Sequence, residues 1–133
     1  MIVDASALTD LVAPTARGAA VGARFAATRS ALCAPDLIEV EVASALRSLE
    51  RRGELPAAAA EAALGDVRDL GLTYFPSARL LPRAWELRAN MTIYDGIYVA
   101  LAEATQLPLL TTDARLARAA SDHSNARVDR VAL

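Results

Sequence analysis

Four carboxylates carry the chemistry that this sequence could do. Asp4 directly follows the apolar pair Ile2–Val3, and Asp113 follows Leu109, Leu110, Thr111 and Thr112. Glu41 lies in a segment of helical period, surrounded by Leu37, Ser44, Ala45 and Ser48, with no basic residue three or four positions away. Asp95 has Tyr98, Val99 and Ala102 on its side of an apolar segment. A carboxylate among small and apolar neighbours is costly to ionise unless something outside its helix pairs with it. Two such acids about 4 Å apart repel by roughly 4 kcal/mol at an effective dielectric near 20, so acids gathered at one place need a cation. The chain has one His (His123) and one Cys (Cys33), so ligands for a metal would be oxygens, which select Mg²⁺ or Mn²⁺ over Zn²⁺. Helix capping accounts for Asp4 and Asp113 equally well, and the helix dipole for Asp95. The faces alone do not separate these four from Asp10 or Asp36.

Composition narrows the chemistry further. All 14 cationic side chains are Arg, which excludes lysine phosphate loops, Schiff bases and lysine general bases. One Cys forms no internal disulfide and no thiolate cluster. A net charge of −2 gives no global attraction to a polyanion, so nucleic-acid binding would need a local Arg patch. No run of about 18 uncharged apolar residues appears, and the first ten residues lack a basic stretch followed by an apolar core. These features lead us to expect a soluble, cytoplasmic protein with no membrane contact.

The elements that must position the acids follow from the apolar pattern. With 133 residues, 54% of them hydrophobic, the chain reads as one domain over 1–133. Short apolar runs predict strands at Ile2–Val3, Leu32–Ala34, Leu72–Phe75, Leu109–Thr111 and Val128–Val131. Helical period predicts helices at Ala5–Val12, Thr15–Thr28, Asp36–Arg52, Pro56–Leu70, Ser77–Asn90, Tyr94–Thr105 and Ala114–Ser121. Pro14, Pro35, Pro56, Pro76 and Pro108 fall at boundaries, where their fixed φ and missing N–H are tolerated. The alternation predicts an α/β fold, a short central parallel sheet flanked by helices, with ligands at the carboxyl ends of the strands. Trp85, with Leu81 and Leu87, is expected on a core-facing helix or at a dimer contact.

Four stretches, IVDASAL (Ile2–Leu8), APDLIEVEVASALR (Ala34–Arg47), TIYDGIYVALAEA (Thr92–Ala104) and LPLLTTDARLARA (Leu107–Ala119), resemble the PIN-domain ribonucleases of the VapC toxin type. The resemblance runs from Met1 to the last strand. It implies a single PIN-like domain and the toxin of a type II toxin–antitoxin module. It also implies an endoribonuclease that hydrolyses RNA phosphodiester bonds with a divalent metal, Mg²⁺ or Mn²⁺, and a metal-activated water. The family's acids fall on Asp4, Glu41, Asp95 and Asp113, with Asp4, Asp95 and Asp113 as principal ligands. Ser6 and Thr112 are placed to hydrogen-bond those ligands. Arg17, Arg24 and Arg115, with Arg29 and Arg118, are the candidates for RNA phosphates. The expected partners are a VapB-type antitoxin, whose C-terminal segment fills the groove, the RNA substrate, and a second copy in a homodimer. Ser44 stands where many relatives carry Asn, and Gly96 where Ala is usual. Ala114, Arg115 and Leu116 supply no further acid after Asp113. The alternatives are an inactive PIN-fold binding module, which retention of all four acids disfavours, and a Mg²⁺-dependent phosphatase. The latter would use Asp4 as nucleophile and want an acid where Ser6 stands, together with a lysine.

Overall fold

The computed structural model describes residues 1–132. Strands β1 (Ile2–Val3), β2 (Cys33–Pro35) and β4 (Leu109–Thr111) are buried along their whole length, as parallel strands covered on both faces must be. Strands β3 (Thr73–Phe75) and β5 (Val128–Arg130) form the more exposed edges. The order is β3-β2-β1-β4-β5 and every pairing is parallel. Ile2 is the pivot of the register, facing Cys33 on one side and Leu109 on the other.

From β1 the chain moves to one edge, through α1 (Ala5–Val12) and α2 (Gly18–Ala27) to β2, then through α3 (Ile38–Arg51) and α4 (Ala57–Asp69) to β3. It returns through α5 (Leu81–Glu86) and α6 (Ile93–Thr105) to β4 beside β1, and α7 (Ala114–His123) leads to β5. Crossovers of one hand that run in opposite directions put α1–α4 on one face and α5–α7 on the other. The reversal lies between β1 and β4, where an open sheet leaves a crevice at its carboxyl edge. Leu8, Ile38, Val42, Tyr98, Leu101, Leu110 and Leu116 close the core around the central strands.

The expected order of elements holds, and three segments depart from expectation. The helix expected over Thr15–Thr28 begins only at Gly18, because Thr15 turns back to donate its hydroxyl to the Asp10 carbonyl at 3.0 Å. The segment Ser77–Asn90 splits into a 3₁₀ turn, Ser77–Leu80, and the short α5. Pro82 has no N–H for the carbonyl four residues back, so an α-helix cannot run through it, and it sits in the first turn of α5 instead. One consequence corrects the core assignment: Leu87 is buried, but Trp85 is 60% exposed and Leu81 45% exposed. Trp85 lies under the Arg88 guanidinium, 4.4 Å from the ring centre. Helix α7 runs two residues beyond Ser121, so the polar run that follows is a loop only from Ser124.

Glycine matters at two close approaches. A Cβ on Gly18 would stand 2.6 Å from the Asp10 carbonyl oxygen, and one on Gly96 would stand 3.1 Å from Ala84 of α5. Gly96 thus sits where α5 and α6 press together. Gly18→Ala should destabilise the fold by about 1–3 kcal/mol through overpacking. Gly65→Ala, in the exposed interior of α4 with nothing near, should stabilise it by about 0.5–1 kcal/mol. Thermal melts of the two variants check the opposite signs.

Candidate active site at the carboxyl edge of the sheet

Asp4 leaves the end of β1 and caps α1, its Oδ1 accepting from the Ala7 N–H at 2.8 Å. The Ser6 hydroxyl stands 2.8 Å from both carboxylate oxygens, and the Thr111 hydroxyl donates to Oδ2 at 2.6 Å. Asp4 is 3% exposed, and these hydrogen bonds involve no cation. Burial pushes its carboxyl up to about 6 from the ordinary 3.8, against the three hydrogen bonds that pull it down, with the Asp113 charge adding to the rise.

Asp113 leaves the end of β4 and caps α7, accepting from the N–H groups of Arg115 and Leu116 at 2.8 and 3.3 Å. Capping and site membership are therefore one arrangement: the strand end that presents the acid is also the helix start that holds it. Asp95 lies in the first turn of α6, with its N–H bonded to the Thr92 cap. Burial raises its carboxyl first and the Asp113 charge second; the Thr92 bond and the Arg115 charge act the other way. Glu41, in the first turn of α3, accepts the Tyr98 hydroxyl at 2.7 Å. Burial raises it, the Tyr98 bond opposes, and the Asp95 charge raises it again.

All four acids line one groove of about 730 Å³. Asp36 stays outside it, pinned to the N–H and hydroxyl of Ser77, whereas Asp10 lies farther along the groove, 3.9 Å from Arg17. Among the described residues, no three His, Cys, Asp or Glu side chains close into a ready metal cage. The carboxylates border a shared opening, where closing on one point would cost each pair the repulsion estimated above. As a donor set they fit a hard divalent cation: all oxygen, half-buried or buried, and with no paired arginine.

The surrounding residues divide unevenly. Ser6 reaches Asp4 as expected. The hydroxyl that comes from β4, however, is that of Thr111, and Thr112 contributes its backbone N–H to Ser6 at 3.2 Å. Side chains alternate along a strand, so only one of two adjacent threonines can point at Asp4. Thr111 also accepts the Asp113 N–H at 3.0 Å and so ties two of the acids together. Tyr98 was visible in the sequence only as an apolar neighbour of Asp95; its bond to Glu41 spans 57 residues and needed the fold. Of the arginines, Arg17 lines the groove and Arg115 bears on Asp95. Arg24 does not line it: its side chain pairs instead with Asp129 on β5. Arg29 and Arg118 are exposed and outside the lining, whereas Arg52 and Arg130, not singled out from the sequence, belong to it.

A family model described as the PIN domain matches residues 1–122. Ribonuclease VapC3 of Mycobacterium tuberculosis is 46% identical over 120 residues, covering 90% of this chain and 86% of that protein. The crystal structure of PAE2754 from Pyrobaculum aerophilum superposes with a TM-score of 0.68 at 28% identity, covering 96% of this chain and 81% of that one. That of Mycobacterium tuberculosis VapC20, titled a sarcin-ricin loop cleaving toxin, gives 0.69 at 19% identity, covering 89% and 93%, which speaks for the fold alone. The parallel sheet with acids at its carboxyl edge is thus a PIN domain. Within that class the chain belongs to the VapC ribonuclease family.

Two expectations follow from the site. Asp4, Glu41 and Asp95 all bind protons more tightly folded than unfolded, so their contribution favours the metal-free fold at low pH. For Asp4 it is fully present below 3.8 and is lost as pH rises through about 6. A divalent cation that takes the place of those protons should raise the melting temperature most near pH 7 and least near pH 4; calorimetry with and without Mg²⁺ or Mn²⁺ checks this. Tyr98→Phe keeps the buried ring and removes the donor to Glu41. It should lower Mn²⁺ affinity or activity by about 10–100-fold, as measured by titration calorimetry and cleavage rate.

Proposed function

We propose that this chain is the toxin of a type II toxin–antitoxin module, a divalent-metal-dependent endoribonuclease that uses Mg²⁺ or Mn²⁺. The observation that supports it best is the set of four carboxylates, contributed by β1, α3, α6 and β4, that border one groove with no paired cation. Asp4, Asp95 and Asp113 are the ligands, with Glu41 completing the set or orienting the nucleophile. A cation held there would supply Lewis-acid activation of water and neutralise charge on the phosphodiester.

The chain's own residues do the rest. Ser6, Thr111 and the Ala7 N–H fix the orientation of the Asp4 carboxylate. The Thr92 cap holds the first turn of α6 and with it Asp95. The Tyr98 hydroxyl, pushed upward by burial and by the charges of Glu41, Asp4 and Asp95, stays protonated and keeps Glu41 turned toward its neighbours. Arg17 and Arg115 stand where a phosphate could be taken bidentately.

The proposed partners are RNA and a VapB-type antitoxin whose C-terminal segment fills the groove. We propose a homodimer as well: Val40, Leu81, Trp85 and Tyr94 are exposed large apolar side chains that a second copy would cover. No helix among the described residues is long and apolar enough to cross a membrane, and we place the protein in the cytoplasm.

The test is cleavage of total cellular RNA by purified, antitoxin-free protein with Mg²⁺, Mn²⁺ or EDTA, read by mapping new RNA ends. Discrete ends should form only with metal. Asp95→Asn, which changes charge with little change in volume, should abolish them while the melting temperature shifts by only a few degrees. Cleavage that persists in that variant would sink the assignment of the site.

A further inference from the structure

The groove does not end at the carboxylates. It continues along α3, where Glu41, Ser44, Ala45, Ser48, Leu49 and Arg52 recur at three- and four-residue intervals and so form one stripe. At 1.5 Å per residue this stripe is about 16 Å long. The opposite wall is α1 and the turn after it, through Thr9, Asp10, Thr15 and Arg17. The trough thus carries Glu41 where α3 begins and Arg52 where it ends, with Arg17 beside Asp10 on the opposite wall and Arg130 also in the lining.

We infer that this trough seats the RNA strand flanking the bond that is cut, with Arg17 and Arg52 taking phosphates at its outer end. This assignment rests on the RNA-cleavage reading above. The arginines are available for that role. The Arg17 guanidinium donates no hydrogen bond to the described residues; its Nε is buried without a partner and its nearest acid, Asp10, is 3.9 Å from Nη1. Arg52 is held by Glu54 at 3.0 and 3.3 Å, but both side chains are more than half exposed, and such a pair exchanges cheaply for a phosphate.

The floor between the two ends is small and hydroxylic. Ser44 and Ser48 line it from α3, and Thr9 from α1; the Thr9 hydroxyl is buried with no partner, so a rotation about its Cα–Cβ bond can turn it to a ligand at no loss of protein hydrogen bonds. Hydroxyls of this kind match the ribose 2′-hydroxyl, which both donates and accepts and which distinguishes RNA from DNA. A polyanion also needs its charge answered at each end, by arginines at one and by a cation at the other.

The experiment uses the intact protein and a short RNA spanning a cut mapped on cellular RNA, with a matched RNA carrying 2′-deoxy sugars at the flanking nucleotides. Arg17→Ala and Arg52→Ala should each raise KM by about tenfold or more, and by more than they lower kcat. Each should also reduce the slope of log affinity against log salt by about 0.7, one phosphate contact on a single strand. The deoxy substitution should weaken the wild type and have less effect on Ser48→Ala. Wild-type cleavage with both arginine variants unchanged in KM and salt slope would overturn the trough assignment and leave the nuclease reading standing. Failure of the wild type to cleave any RNA would overturn both. Variants that keep RNA affinity but lose binding to a co-expressed protein partner would assign Arg17 and Arg52 to that partner rather than to RNA and overturn the inference.

Discussion

The structure depends on a buried carboxylate at the end of its central strand. Asp4 follows two residues of β1 that are wholly enclosed, and it cannot leave the interior without pulling β1 from between β2 and β4. Its ionisation is opposed by burial and supported only by neutral donors. Burial raises the carboxyl to about 6, so the metal-free fold disfavours the charged form. The fold tolerates this because the same oxygen atoms cap α1 and bond across to β4 through Thr111. One small side chain thus joins a strand end, a helix start and the neighbouring strand.

The other acids are arranged around this point by the path of the chain. Reversal of direction between β1 and β4 opens the crevice, and the two flanking strands deliver Asp4 and Asp113 to it. Helices then contribute from opposite faces: α3 brings Glu41 from one side and α6 brings Asp95 and Tyr98 from the other. Tyr98 is the cross-link between the layers, since its ring is buried in the core and its hydroxyl ends at Glu41. The result is an array of like charges kept apart by rigid elements and held in no ion pair, with only the Arg115 charge bearing on Asp95. Arginines border the array at its margin, where they can meet an incoming anion without neutralising the acids.

Much of the fold was legible because its signals are local. Five short apolar runs, prolines at the boundaries and helical spacing gave the element order, and the continuous apolar character of β1, β2 and β4 marked a sheet covered on both sides. What misled was also local in form: Ser77–Asn90 carries helical spacing, but Pro82 removes the bond that would make it one helix, so Trp85 ended outside the core. Arg24 was chosen for its position on α2, and only the fold showed that its side chain pairs with Asp129 on β5, 105 residues away. Thr112 was chosen as the residue adjacent to Asp113, whereas strand alternation turns Thr111 toward Asp4.

The sequence by itself determined the chemistry available: arginine as the only strong cation, single His and Cys residues, and four acids at strand ends and first turns with no cation in helical reach. The residue types and their spacing follow from composition and from the fixed periods of helix and strand, whereas the choice of these four acids over Asp10 and Asp36 came from the family resemblance. Only the tertiary structure decided which acids share a groove, which hydroxyl holds Asp4, that Tyr98 reaches Glu41, and that Arg17 and Arg52 line the same groove. Those relations join residues tens to more than a hundred positions apart. They depend on the order of strands and the face on which each crossover lands, and no local period encodes either.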